Sequence, residues 1–308
     1  TEMGKIAFVF SGQGAQYSGM GKSLYDLGGE IKRFYDECEA IRPGTIKQSF
    51  SGSADELKMT VNTQPCMYLV EIAAAMALNS NGIFADGCAG FSLGEISALA
   101  YGGAYSYTDG FKIVTKRAEY MSEAAEENDT SMAAVMKLDE ASVVAAASRY
   151  EKLYAVNFNC PSQIVVSGLR TSVEKFKDEV SAMGGKMIPL KVSAAFHSPF
   201  MAKASDRFRD ELEKYDISEP KLPVYSNVTG RPYGGDVSEN PAPQIKSPVK
   251  WQKLIENMTA DGFTDFIELG PGKTLCKLIT KTCADARVYS VEDEESLSKT
   301  LSEVKANA

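Results

Sequence analysis

Residues 131–192 read SMAAVMKLDEASVVAAASRYEKLYAVNFNCPSQIVVSGLRTSVEKFKDEVSAMGGKMIPLKV. Residues 132–138 have strand character, and Asp139 can cap a helix that runs to about Tyr150. Residues 153–159 form a second strand-like run, Pro161-Ser162 turn the chain, and residues 163–167 form a third. Thr171 and Glu174 have capping-box spacing, ahead of a helix with Val173, Phe176, Val180 and Met183 in register. Gly184-Gly185 stops that helix, and residues 186–192 are a last strand. The order β-α-β-β-α-β predicts a ferredoxin-like unit.

Outward from this stretch the pattern changes. Residues 5–10 are a buried strand that ends at Ser11-Gly12-Gln13-Gly14. A helix is expected over 19–40. A nearly all-apolar helix should begin at Thr63 as N-cap, with Pro65 in its first turn. Residues 86–91 form a weak strand leading into a helix with Ile96, Leu99 and Ala100. A further helix covers about 108–127, with Thr108 as a candidate cap. After Phe200, short strands at 223–226 and 263–269 alternate with helices at 251–258 and 272–282. Residues 230–247 are rich in Gly and Pro and are expected to be a surface loop. Strands alternating with helices predict an α/β fold. The expected architecture is a larger α/β-hydrolase-like domain with a mainly parallel sheet, from residues 1–129 and 193–308. The ferredoxin-like βαββαβ subdomain, residues 130–192, is inserted into it.

The chain has 308 residues, enough for a sizeable core. Lys+Arg 33 against Asp+Glu 41 gives a net charge of −8, which argues against a general nucleic-acid binder. Six cysteines without a C-x-x-C pair, and one histidine, do not make a zinc set. They predict free thiols in a reducing compartment. No apolar run approaches the length of a membrane span, and the first residues do not resemble a signal peptide. A cytoplasmic protein without nucleic-acid or membrane partners is expected, and a monomer is consistent with the absence of an unassigned amphipathic stripe.

Gly90-Phe91-Ser92-Leu93-Gly94 fits G-x-S-x-G between a strand and a helix. Its tight turn lifts the Ser92 hydroxyl out and leaves the Leu93 N–H free to face an oxyanion. A bland strand-to-helix turn is the competing reading. A serine nucleophile needs a base with pKa near neutrality, and His197 is the only histidine in the chain. The Gly12-Gln13-Gly14 turn fails the dinucleotide fingerprint, because Tyr17 stands at its third glycine, but it can present the Gln13 N–H to an anion. Gly270-Pro271-Gly272-Lys273-Thr274 fails the phosphate-loop pattern because Ile267 stands where glycine is required. Arg117 is either a surface arginine lying along its helix or a cation that clamps a carboxylate.

Five blocks occur in order: residues 10–16 (FSGQGAQ), 90–95 (GFSLGE), Arg117, 195–198 (AFHS) and 268–273 (ELGPGK). Together they resemble the malonyl-CoA:acyl carrier protein transacylase family of fatty-acid synthesis, whose blocks also mark polyketide acyltransferase domains. The resemblance spans nearly the whole chain. It implies Ser92 as the nucleophile that takes the malonyl group and His197 as its base. It also implies Gln13 and Leu93 N–H groups as the oxyanion hole, Arg117 on the malonyl carboxylate, Gln64 close by, and the Lys250 carbonyl orienting His197. Coenzyme A thioesters and an acyl carrier protein are the implied partners, with no cofactor. Phe91 departs from the family, which usually has histidine there. Phe196 before the histidine fits selection of malonyl over methylmalonyl, by crowding the extra methyl. Lys186, Lys191, Lys273 and Lys277 are candidates for a basic docking patch. A stand-alone polyketide-type acyltransferase is the nearest rival. A serine hydrolase or thioesterase is further off, since its histidine usually lies near the C-terminus. A carrier-protein-binding scaffold without turnover is the third alternative.

Overall fold

The computed structural model describes residues 4–192, 194–234 and 241–307. Its strands are β1 (Lys5–Phe10), β2 (Gly87–Gly90), β3 (Thr130–Met136), β4 (Leu153–Cys160), β5 (Gln163–Leu169), β6 (Lys186–Pro189), β7 (Val224–Tyr225), β8 (Phe263–Leu269) and β9 (Arg287–Val291). One sheet has the order β7-β2-β1-β8-β9, and every pairing in it is parallel. The other has the order β4-β5-β3-β6 and is antiparallel, the arrangement of a βαββαβ unit. Both sheets follow the expected fold class.

β1 is central because Ile6 to Phe10 are all buried, as a strand covered on both faces must be. Phe10 lies opposite Gly90 on one side and Leu269 on the other. The carboxyl ends of β1, β2 and β8 therefore finish level, and the loops after them share one edge, where open α/β sheets bind ligands. In the antiparallel sheet, Ala133 and Val135 pack under the helices Glu140–Ala147 and Arg170–Ala182. Their neighbours Met132 and Ala134 face the other way and join the main core.

Several local boundaries differ from the expectation. The helix over 19–40 is two, Lys22–Asp26 and Gly29–Ile41, because Gly28 between them and Gly29 at the start of the second take φ 75° and 59°. The apolar helix is Thr60–Ser80, so Thr63 does not cap it and Pro65 lies inside it. The Thr63 hydroxyl donates to the Leu57 and Met59 carbonyls instead. Pro65 cannot donate to the Val61 carbonyl, and Arg42 reaches that oxygen at 3.5 Å. Ser106, not Thr108, caps the helix Tyr107–Glu126 by accepting from the Asp109 N–H. Asp139 caps as expected. The Thr171–Glu174 box does not form, since its helix begins at Arg170, whose N–H and guanidinium bind Asp129. β6 stops at Pro189. Within 230–247, residues 241–244 are helical and mostly buried, while 235–240 lie outside the described residues. Among the described residues, no helix is long and apolar enough to cross a membrane.

Candidate active site

Ser92 sits between β2 and the helix Leu93–Tyr101 with φ 53° and ψ −106°. A non-glycine residue in such a conformation costs on the order of 1–3 kcal/mol and persists only where its surroundings enforce it. The enforcement comes from close backbone packing. A Cβ on Gly90 would lie 1.9 Å from the Gly94 carbonyl, and one on Gly94 would lie 2.2 Å from the Phe10 oxygen. Only glycine fits either place, so the G-x-S-x-G spacing is a packing requirement of this turn.

His197 also holds a positive φ, 60°. Its N–H donates to the Ile245 carbonyl at 2.9 Å, and its Nδ1 lies 2.9 Å from the Gln244 carbonyl. A carbonyl can only accept, so Nδ1 carries the proton and Nε2 presents its lone pair. That Nε2 is 2.8 Å from Ser92 Oγ. Burial, and then the Arg117 charge, push the His197 pKa down to about 4. The imidazole is therefore neutral, as a proton acceptor must be.

The carbonyl that orients His197 belongs to Gln244 and not, as expected, to Lys250. Lys250 is the N-cap of the helix Trp251–Ala260, and its carbonyl accepts from Leu254 N–H at 2.9 Å. Gln244 is fully buried and acts through its side chain as well. Its Nε2 donates to the Ser92 carbonyl at 2.9 Å and to Asn227 Oδ1 at 3.1 Å. Asn227 Oδ1 accepts from Ser92 N–H at 2.9 Å, and its Nδ2 donates to the Gly90 carbonyl at 2.7 Å. Glu95 Oε1 takes the Asn227 N–H at 2.8 Å. Gln244, Asn227 and Glu95 were absent from the sequence-derived site. Gln244 lies in the stretch read as surface loop, and Asn227 follows a two-residue strand, so neither carries a local signal.

Arg117 is fully buried, which removes the surface-arginine alternative. Nη1 donates to Gln64 Oε1 at 2.7 Å, and Nη2 donates to Gln244 Oε1 at 2.8 Å and to Ser92 Oγ at 3.1 Å. All three acceptors are neutral, and Nε has no partner among the described residues. Burial pushes the guanidinium pKa down to about 10, with Glu95 opposing, so it stays charged at neutral pH. Burial raises Glu95 to about 7. A buried cation with no carboxylate bonded to it among the described residues thus sits against the serine oxygen.

The centre opens into a cavity of about 90 Å³ lined by Gln13, Gln64, Ser92, Leu93, Phe196 and His197. The expected nucleophile, base, cation and oxyanion donors are therefore brought together, and only Lys250 is displaced. Neither the Gln13 nor the Leu93 N–H is engaged by another described backbone group. Gln13 also borders a neighbouring cavity of about 280 Å³ with Asn157 and Asn159. A wider one, of about 560 Å³, lies outside it with Lys58 and Lys191. Phe91 packs against Trp251, with ring centroids 5.4 Å apart, and lines both the small cavity at Ser92 and the one beside Asn157. Lys186, Lys191, Lys273 and Lys277 are all exposed.

Residues 7–307 match the acyl transferase domain family. The chain is 37% identical over 317 aligned residues to the malonyl CoA-acyl carrier protein transacylase of Bacillus subtilis (strain 168), covering 99% of this chain and 100% of that one. The structure resembles the malonyl CoA-acyl carrier protein transacylase of Clostridium perfringens with a TM-score of 0.94, at 36% identity over 98% of both chains. It also resembles a malonyl-transacylase solved in complex with its type II PKS acyl-carrier protein, with a TM-score of 0.93 at 28% identity, covering 97% and 99%.

Proposed function

Because the chain belongs to the acyl transferase domain family, we propose that it moves a malonyl group from malonyl-CoA to the phosphopantetheine thiol of an acyl carrier protein, through a malonyl-Ser92 ester. The observation that carries this reading is the buried Arg117 guanidinium, which hydrogen-bonds only neutral groups and touches the hydroxyl that would attack. Such a cation favours an acyl group that brings its own carboxylate. Gln64 and Gln244 hold the guanidinium in place without neutralising it.

In the first half-reaction, His197 Nε2 takes the Ser92 proton as Oγ attacks the thioester carbonyl. The carbonyl electron pair moves onto oxygen, which the Gln13 and Leu93 N–H groups receive; losing one such donor costs about 10²–10³ in rate. Collapse of the adduct expels the coenzyme A thiolate, and the imidazolium returns its proton to that sulfur. The second half-reaction reverses these steps with the carrier-protein thiol as attacker. The thioester is activated enough that the chemistry calls for no metal or redox cofactor.

The cavity beside Asn157 and Asn159 offers amides to a phosphopantetheine arm, and Phe196 narrows the site against a branched acyl group. The exposed lysines near the mouth, Lys191 foremost, suit an acidic carrier protein. A carrier of polyketide type is a second reading, favoured by the likeness to the complex with a type II PKS acyl-carrier protein. Parallel transfer assays with fatty-acid and polyketide carriers separate the two. Six free cysteines suit a cytoplasmic setting.

The test is Arg117→Ala, with acylation by malonyl-CoA and acetyl-CoA measured side by side. A charged hydrogen bond is worth about 1.5–3 kcal/mol, so malonyl acylation should fall roughly 10–100-fold. Acetyl acylation should fall far less. Equal losses on both substrates would sink the clamp.

A further inference from the structure

Glu71 stands in the middle of the helix Thr60–Ser80, fully buried, and takes no part in the steps above. Its two carboxyl oxygens bind hydroxyls from two different elements. Ser11 Oγ donates to Oε1 at 3.2 Å, and Ser97 Oγ bonds to Oε2. Ser11 follows the last residue of β1 and precedes Gln13 by two positions. Ser97 lies one helical turn beyond Leu93 on the same helix face. Each hydroxyl is thus anchored to one of the two segments that carry an oxyanion N–H.

We propose that Glu71 is a positioning residue for acyl transfer: by tying Ser11 to Ser97, it sets the spacing between the Gln13 and Leu93 N–H groups. The inference rests on the oxyanion role given to those groups above. The two segments also touch through the backbone, since a Cβ on Gly94 would lie 2.8 Å from the Ser11 oxygen. That contact limits how closely they approach, and the Phe91 N–H, which donates to the Phe10 carbonyl at 3.0 Å, holds β1 and β2 in register where the strands end. The carboxyl bridge adds a side-chain restraint beyond the strand ends, between Ser11 and Ser97 themselves. The neighbouring carboxylate does not share this task. Glu268 is also buried, but its oxygens accept from the Leu275 and Cys276 N–H groups at the start of the helix Thr274–Thr282.

Burial, and the nearby Glu268, hold the Glu71 carboxyl well above the usual carboxylate range. A neutral carboxyl has one donor and one acceptor edge, which matches two hydroxyls. Glutamine offers the same pair of edges, so Glu71→Gln preserves the bridge and Glu71→Ala removes it.

The experiment is single-turnover acylation by malonyl-CoA across a concentration series, read by intact mass, for the wild type, Glu71→Ala, Glu71→Gln and Ser97→Ala. A misplacement on the ångström scale costs up to about 100-fold, so Glu71→Ala should slow the saturating rate constant by roughly 10–100-fold. Its half-saturating concentration and final extent of acylation should stay near the wild-type values. Glu71→Gln should recover most of the rate. If Glu71→Ala does not fold, Ser97→Ala carries the test, with a smaller loss of the same kind. A wild-type rate in the alanine variants, a loss confined to half-saturation or extent, or a glutamine variant no faster than alanine each overturns the inference. A wild type that forms no malonyl ester overturns it together with the parent function, whereas a normally acylated wild type beside unaffected variants overturns it alone.

Discussion

Ser92, Gln64 and Arg117 stand at a strand end and on long helices, whereas His197, Asn227 and Gln244 stand on chain with little regular structure. The first group is placed by packing: a buried helix, a glycine-walled turn and a level set of strand ends. The second is placed by hydrogen bonds between residues far apart in sequence, among them His197 N–H to Ile245 and Asn227 to Ser92 and Gly90. Packing distributes its restraint over many contacts, and loss of one is tolerated. A fully satisfied polar network concentrates restraint in a few bonds, so removing one member leaves others orphaned. Away from Gly90 and Gly94, the nucleophile side should therefore keep its shape under substitution, while a base-side residue that joins several partners, such as Asn227, should lose alignment and stability together.

Three experiments press on that contrast. The largest effect belongs to His197→Ala, which removes the ring nitrogen 2.8 Å from Ser92 Oγ. General-base catalysis is worth about 10²–10⁴-fold, and both half-reactions should slow by that order, as single-turnover kinetics will read. Near-normal thermal stability is expected, because His197 gives only its ring to the network and its backbone bond to Ile245 remains.

Next comes Asn227→Ala, which touches neither substrate nor the reacting atoms. It orphans the Ser92 N–H, the Gly90 carbonyl and one donor of Gln244. An orphaned buried group costs about 1–3 kcal/mol, so the variant should unfold at clearly lower denaturant concentration. Acylation should slow by roughly tenfold as Gln244, whose carbonyl orients His197, loses its Asn227 acceptor. A stability loss without any rate loss would show that His197 is aligned without this network, and would erase the distinction between the two sides.

The smallest effect is on pH dependence. Protonation of His197 abolishes the base, and burial with the Arg117 charge pushes its pKa down to about 4 from 6.5. A lowered pKa keeps the neutral form present further into acid. The acid limb of kcat/KM for malonyl-CoA, which reports the free enzyme, should therefore lie well below pH 6.5. A limb near the unperturbed value would mean that the ring is solvated in the free enzyme.

The same division explains what was legible in the sequence. The parallel and antiparallel sheets follow from hydrophobic period and turn residues, both local. Ser92 and Leu93 are marked by a five-residue spacing that the glycine contacts explain, and His197 by being the only histidine. Helix starts were less legible, because the caps compete with tertiary partners. Asp129 took over at Arg170, and the Thr63 hydroxyl turned back to earlier carbonyls. Gln244 was hidden because Gly and Pro around it resemble an exposed loop, while its burial depends on Arg117, Asn227 and Ser92 far away in the chain. Lys250 was misplaced for the related reason that a carbonyl's direction is set by the element it caps.

The proposed function stands on Ser92 taking a malonyl group under the guidance of His197 and Arg117. The most direct measurement is intact mass after mixing the protein with malonyl-CoA, acetyl-CoA or methylmalonyl-CoA, with Ser92→Ala alongside. The expected result is a malonyl adduct on the wild type, markedly less from the other two donors, and none on Ser92→Ala. An adduct that persists on Ser92→Ala, or coenzyme A release without any adduct, would contradict it.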